Sequence, residues 1–212
     1  MLTVRALGID AAFSNMGFAV VTLTINDKGQ VPTVACEHLH LVQTEAIDAK
    51  QVRKSSNELR RAKELHTALH MLSAGCQFAF AEVPSGSQSA SAARSLGIAV
   101  GVLASCPVPL IEVSPMEVKR AVIANPKVKV PKGYIIDWAV KRWPTANWIR
   151  ERGKPNGRVI LDNEHCADAL ATVMAGIATP AFQNILTMLA HHETSSTPNH
   201  RPASGSGRVR LV

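Results

Sequence analysis

The chain opens on two apolar runs separated by a turn. Thr3 to Ala11 and Gly17 to Ile25 are strongly apolar, and Ala12-Phe13-Ser14-Asn15-Met16 between them has turn chemistry, which predicts a β-hairpin. A second turn, Asn26-Asp27-Lys28-Gly29, leads into a third strand predicted over Val31 to Val42. From Val52 to Leu72 the period changes: Leu59, Ala62, Leu65, Leu69 and Leu72 recur at helical spacing, with Arg53, Lys54, Arg60, Arg61 and Lys63 on the remaining surface. That is an amphipathic helix with a basic outer side. Gln77 to Val83 is a short continuous apolar run ending in Glu82, the pattern of a strand covered on both faces.

Ser87 to Ala104, rich in Ala, Ser and Gly, predicts a tightly packed helix, and Pro109 to Val113 a last strand. Pro115 suits the first position of a short helix ending at Ile123. After a basic connector from Asn125 to Val130, Lys132 to Arg142 gives another helix. Asp162 or Asn163 can cap a final helix whose stripe is Ala167, Leu170, Val173, Met174 and Ile177, until Pro180 breaks it. Beyond about Glu193, Ser, Thr, Pro, Gly and Arg dominate, so the expected organisation is one domain over residues 1–190 and a disordered basic tail over 191–212.

Composition narrows the class. With 46% apolar and 18% charged residues, a chain of 212 residues can bury one substantial core. Cys36, Cys76, Cys106 and Cys166 have no paired spacing and read as buried free thiols. No apolar run approaches the roughly 18 residues of a membrane span, and no secretory signal opens the chain, so the expectation is a cytoplasmic protein without a membrane partner. The net charge of +7 points to a polyanion, and its placement is more informative. Between Val113 and Leu161 eleven basic residues face three acidic ones. There Lys119, Lys127, Lys129 and Lys132 can neutralise phosphates. Trp143 and Trp148, interleaved with Arg142, Arg150 and Arg152, can stack on unpaired bases, while Trp138 belongs to the core.

Four residues can carry chemistry. Asp10 ends the first strand, where an aspartate is either a ligand or a turn cap. Glu82 ends an otherwise uncharged strand, where an ionised carboxylate is costly unless it pairs with an arginine or holds a metal. His165 and Asp168, three apart on the last helix, share a face and can reach one ion; equally, they fit a helix-start acid beside a surface histidine. Glu164 adds a further carboxylate one turn before Asp168.

Together these motifs resemble the RuvC family of Holliday-junction resolvases, within the RNase H-like superfamily. The resemblance runs through most of residues 3 to 178. It lies in Leu7-Gly8-Ile9-Asp10 with Gly17 after the turn, Glu82-Val83-Pro84 followed by Ser91-Ala92-Ala93-Arg94-Ser95-Leu96-Gly97, Ser114-Pro115-Met116-Glu117-Val118-Lys119, Lys132 opening a helix, and His165 before Asp168-Ala169-Leu170-Ala171. Three features depart from the family: Pro84 and Ser85 stand where an aromatic wedge is usual, Asn125 to Pro131 replaces a glycine-rich stretch, and the loop before the basic helix is longer than expected.

The resemblance implies an α/β, RNase H-like fold with a mixed five-stranded sheet, three antiparallel strands then two parallel, flanked by helices. It implies Asp10, Glu82, His165 and Asp168 as catalytic metal ligands for two Mg²⁺ ions, with Mn²⁺ able to substitute, and Lys119 and Lys132 beside the scissile bond. Arg94 joins the expected DNA contacts. The implied activity is cleavage of branched DNA in recombination and repair, by a homodimer whose candidate contact surface is the small-residue helix from Ser87 to Ala104, a helix that could equally pack wholly inside one subunit. The alternatives are an RNase H-like protein that binds DNA without cutting junctions and, with little room for it in this length, an actin-like ATPase-related domain.

Overall fold

The computed structural model describes residues 1–195 apart from Asp27, Gly29, Pro32, Ala49, Ser85, Ser87, Gln88, Ala124, Pro126, Lys129, Val130, Lys132, Gly153, Pro155 and Asn156. Three strands, β1 (Leu2–Asp10), β2 (Asn15–Ile25) and β3 (Thr33–Gln43), form the antiparallel meander that the opening pattern predicts. Then follow α1 (Lys54–Ser73), β4 (Phe78–Glu82), α2 (Ala90–Ala104), β5 (Leu110–Val113), α3 (Pro115–Val122), α4 (Tyr134–Arg142), α5 (Glu164–Gly176) and α6 (Pro180–Ser195). The sheet order is β3-β2-β1-β4-β5, with β4 parallel to β1 and β5 parallel to β4. This is the expected mixed five-stranded sheet.

The two-residue period of the strands sorts the core into two layers. On one face Ala6, Ala19, Val21 and Phe80 pack against α5, α4 and α6 through Leu170, Val173, Ile136, Phe182 and Leu186. On the other, Leu7, Ile9, Phe18, Ala79 and Ala81 meet Leu65 and Leu69 of α1 and Val102 and Leu103 of α2. Phe80 and Phe182 cross edge-on with centroids 5.0 Å apart, a geometry worth about 0.5–1.5 kcal/mol beyond the area buried.

Helix α5 lies closer to the sheet than side chains would permit. A Cβ on Gly8 would run into the backbone oxygen of Ala169, and one on Gly17 into that of His165. Both strands are therefore bare of side chains where the helix backbone passes.

Several expectations change. In α1 the buried residues are Asn57, Arg61, Leu65, Leu69 and Ser73, one per turn; Leu59 is 57% exposed, and Arg61 lies inside instead of on the outer surface. Trp143 and Trp148 are buried, not offered to bases. The Trp143 indole N–H donates to the Val34 carbonyl and that of Trp148 to the Trp143 carbonyl, both at 2.8 Å. With Asn147, whose amide bonds both the N–H and the carbonyl of Leu39, they cover the free edge of β3. Trp138, half-buried, packs against the core.

Asn163 does not cap α5; its side-chain amide bonds the Ile149 N–H and the Ile149 and Ile160 carbonyls. α5 ends at Gly176, before Pro180 as expected, but a further helix was not foreseen: Pro180 opens α6, because a proline is tolerated in a first helical turn, and Phe182 and Leu186 of that helix are fully buried. α6 runs past residue 191; residues 196–212 lie outside the described residues. The four cysteines are free, Cys76 and Cys166 buried and Cys36 and Cys106 half-buried. Among the described residues no single helix is long and apolar enough to cross a membrane.

The seating of α5 is testable by stability. Gly17→Ala should lower the melting temperature by roughly 5–10 °C, the outcome of an overpacking cost of about 2–3 kcal/mol in a domain of this size. An unchanged melting temperature would show that the helix can stand off without penalty.

Candidate active site

Asp10 and Glu82 are the last residues of β1 and β4, and the parallel register makes them direct neighbours. Asp10 is also opposite Gly17 on β2. Asp10 and Glu82 point to the α5 face, as Ala6 and Phe80 do from the same strands. Gly17, lacking a side chain, lets the first turn of α5 settle over that end of the sheet. His165 thereby reaches Asp10: its Nδ1 is 2.7 Å from Oδ2, and the ring N–H donates to the carboxylate. Asp168, one turn further on the same helix face, lies within the field of Asp10, Glu164, His165 and Glu82. The structure thus brings together all four residues singled out in the sequence.

The electrostatics are those of crowded acids short of cations. Burial raises the Asp168 carboxyl to about 7, with the charges of Asp10 and Glu164 adding to the rise and His165 opposing it. Burial, then the Asp10 charge, also raises Glu82, against a lowering by Lys119. His165 is raised in turn, chiefly because its protonated ring donates a hydrogen bond to Asp10. No hydrogen-bond donor among the described residues reaches the Glu82 or Asp168 carboxylate. Nor do any three His, Cys, Asp or Glu side chains among the described residues close into a ready-made metal cage. Even so, the donor set fits a divalent cation: hard carboxylate oxygens with one imidazole, half-buried, with excess negative charge and no donor satisfying two of the acids.

The expected DNA contacts are dispersed. Lys119 is exposed on α3, close enough for its charge to act on Glu82. The helix that carries it is fixed by a capping box, in which Ser114 accepts from the Glu117 N–H and the Glu117 carboxylate accepts from the Ser114 N–H. Lys127 is exposed in the connector that follows. Lys129 and Lys132 lie outside the described residues. Arg94 on α2 forms an ion pair with Glu58 of α1 at 3.3 Å and is not drawn into the acid cluster. The rest of α2 is more open than its small residues suggest: Ala90, Ala92, Ala93, Gly97 and Gly101 are exposed, and only Ala99, Val102 and Leu103 are buried. A Cβ on Gly97 or Gly101 would meet nothing within 4 Å.

One contributor near the site was missed in the sequence. Arg61 fastens the turn after Asp10 from the opposite face of the sheet, by hydrogen bonds to Ser14 and Thr44. The signal was present, since Arg61 stands one turn before Leu65 on the stripe that continues to Leu69.

No family model matches the chain, and no curated protein does. Among solved structures, Thermus thermophilus RuvC in complex with a Holliday junction substrate superposes over 85% of this chain and 96% of that one, at 20% identity and a TM-score of 0.56. A second Thermus thermophilus RuvC structure covers 88% and 97%, at 20% identity and a TM-score of 0.54. At that identity the likeness establishes architecture: the chain has the RNase H-like α/β fold of the RuvC structures.

Proposed function

We propose that the protein is a metal-dependent endonuclease that cuts branched DNA of the Holliday-junction class. The observation that carries this reading is the meeting of Asp10, Glu82, His165 and Asp168 at the ends of β1 and β4 under the first turn of α5. It is supported by the fold shared with RuvC, one copy of which is described with a Holliday junction substrate.

Asp10, Glu82, Asp168 and His165 would hold divalent cations, Mg²⁺ or in its place Mn²⁺, which the imidazole nitrogen favours. Bound there in a pair, such cations supply an acidified attacking water and stabilise the departing 3′ oxygen of the phosphodiester. The chain's own part is positional and electrostatic. Asp10, fixed between β2 and β4, is the central carboxylate, and the Nδ1 proton of His165 holds its orientation. Glu82 and Asp168 flank it, their charges held in tension by burial and by each other. An acid cluster repels the DNA backbone. Lys119 and Lys127, with Lys129 and Lys132 in the same basic stretch, counter that by drawing phosphates in, and Arg94 is a further contact once released from Glu58.

A four-way junction has approximate two-fold symmetry, so paired incision calls for two sites related by a dyad. The exposed small-residue face of α2 is the proposed contact between the two copies.

Asp10→Asn keeps the shape of the site and removes its central charge. It should cut four-way junctions more than about a hundredfold more slowly in Mg²⁺, since changes merely adjacent to metal ligands already cost ~10–100-fold. Its junction affinity, measured in Ca²⁺, should stay close to that of the parent. Cutting at the parental rate would end the proposal. For the assembly, sedimentation at micromolar concentration should show a dimer that Gly97→Arg converts to monomer; a parent that is monomeric alone and on junctions would exclude paired cutting.

A further inference from the structure

Arg61 is the only charged residue among those described that is less than a tenth exposed, at 8%. It sits on α1, on the face of the sheet opposite α5. No carboxylate forms an ion pair with it among the described residues. Instead its Nε donates to Thr44 Oγ1 and a terminal nitrogen to Ser14 Oγ, each at 3.0 Å, while the guanidinium carbon stands 3.9 Å over the centre of the Phe13 ring.

The groups it holds are tied to one another. Thr44 Oγ1 donates to the Phe13 carbonyl at 2.7 Å, and the Thr44 N–H donates to the Ser14 carbonyl at 2.8 Å. Phe13 and Ser14 belong to the short turn that begins directly after Asp10, and Ala11 and Phe13 are both 6% exposed. A buried cation is an expensive way to fill this position, which lies on the stripe of Leu65 and Leu69. An apolar side chain would fill it without that cost, so the arrangement points to a task beyond packing. That task is visible in the register: Asp10↔Gly17 is the last pair of the β1–β2 ladder, and terminal pairs fray unless something beyond them is anchored.

We propose that Arg61 is a positioning residue for the candidate nuclease site. It locks the turn of residues 11–14 from the α1 side, so that Asp10 is presented in a fixed orientation to His165 and Asp168 on the α5 side. The inference rests on the nuclease reading for its catalytic consequence and on the structure alone for the mechanical one.

The test compares Arg61→Met, Arg61→Lys and Thr44→Val with the full-length parent. Three readouts are needed: the single-turnover cleavage rate on a four-way junction in Mg²⁺, junction affinity in Ca²⁺, and amide hydrogen exchange. Arg61→Met should slow cleavage roughly 10–100-fold, the scale of a small misplacement of a reacting group, with affinity changed by less than about threefold. Exchange at the Thr44 amide should accelerate, while Ala79 to Ala81 in β4 keep their protection. Arg61→Lys retains the charge over Phe13 and should recover part of the rate. Thr44→Val breaks the same tie by a smaller change and carries the test should Arg61→Met fail to fold. Parental cleavage rates in both Arg61→Met and Thr44→Val would overturn the inference. So would a rate loss accompanied by an equal loss of protection throughout the sheet, which is general destabilisation. If the parent itself cuts no DNA, the nuclease reading falls and exchange still decides the tie: an unchanged Thr44 amide in Arg61→Met refutes it.

Discussion

The backbone of α5 rests directly on β1 and β2, and this contact sets where His165 and Asp168 stand against the strand-end acids Asp10 and Glu82. It exists because Gly8 and Gly17 leave the strands bare beneath Ala169 and His165. A helix held off by ordinary side chains would carry His165 and Asp168 away from the strand ends. Seated as it is, its first two turns bring an imidazole to 2.7 Å from Asp10 and an aspartate into the field of both strand carboxylates. Phe182 and Leu186 of α6 and the packing of α4 press on the same layer, so the seating is enforced by much of the core.

From that placement follows a concentration of negative charge at the strand ends. Burial, and after it the mutual charge of the clustered acids, raises the Glu82 and Asp168 carboxyls, and Lys119 and His165 offset only part of the rise. Such a cluster is unfavourable for folding and useful for chemistry, the association expected where pKa values are displaced together in one place. On the proposed reading a divalent cation would meet the carboxylates, and the exposed Lys119 and Lys127 would meet a phosphodiester.

Much of this was legible in the amino-acid pattern. The meander, the two later strands and the helices between them follow from periodicity and turn residues, and Glu82 stood out because a charge interrupts an apolar strand. What escaped has physical reasons. Arg61 looks like one more surface cation on a basic helix, and only its spacing to Leu65 and Leu69 marks it as buried. Trp143 and Trp148 sit among arginines in the chain, yet the Trp143 N–H finds the Val34 carbonyl on the edge strand β3, a long-range contact that local pattern does not encode, and the Trp148 N–H in turn bonds the Trp143 carbonyl. Asn163 resembles a helix cap but bridges two loop carbonyls instead, and Pro180 follows the expected break but also begins another helix, since proline fits both roles. The convergence of the four polar groups was implied by the family resemblance alone, and the strand register and the glycine-backed helix supply its physical cause.

The central claim is that these four side chains share cations. The most direct measurement is a crystal structure of the protein with Mn²⁺, using its anomalous signal. The account predicts peaks at about 2.0–2.4 Å from oxygens of Asp10 and of Glu82 or Asp168. Mn²⁺ absent from that cluster at saturating concentration, with Asp10 still hydrogen-bonded to His165 and Asp168 facing away from it, would contradict it.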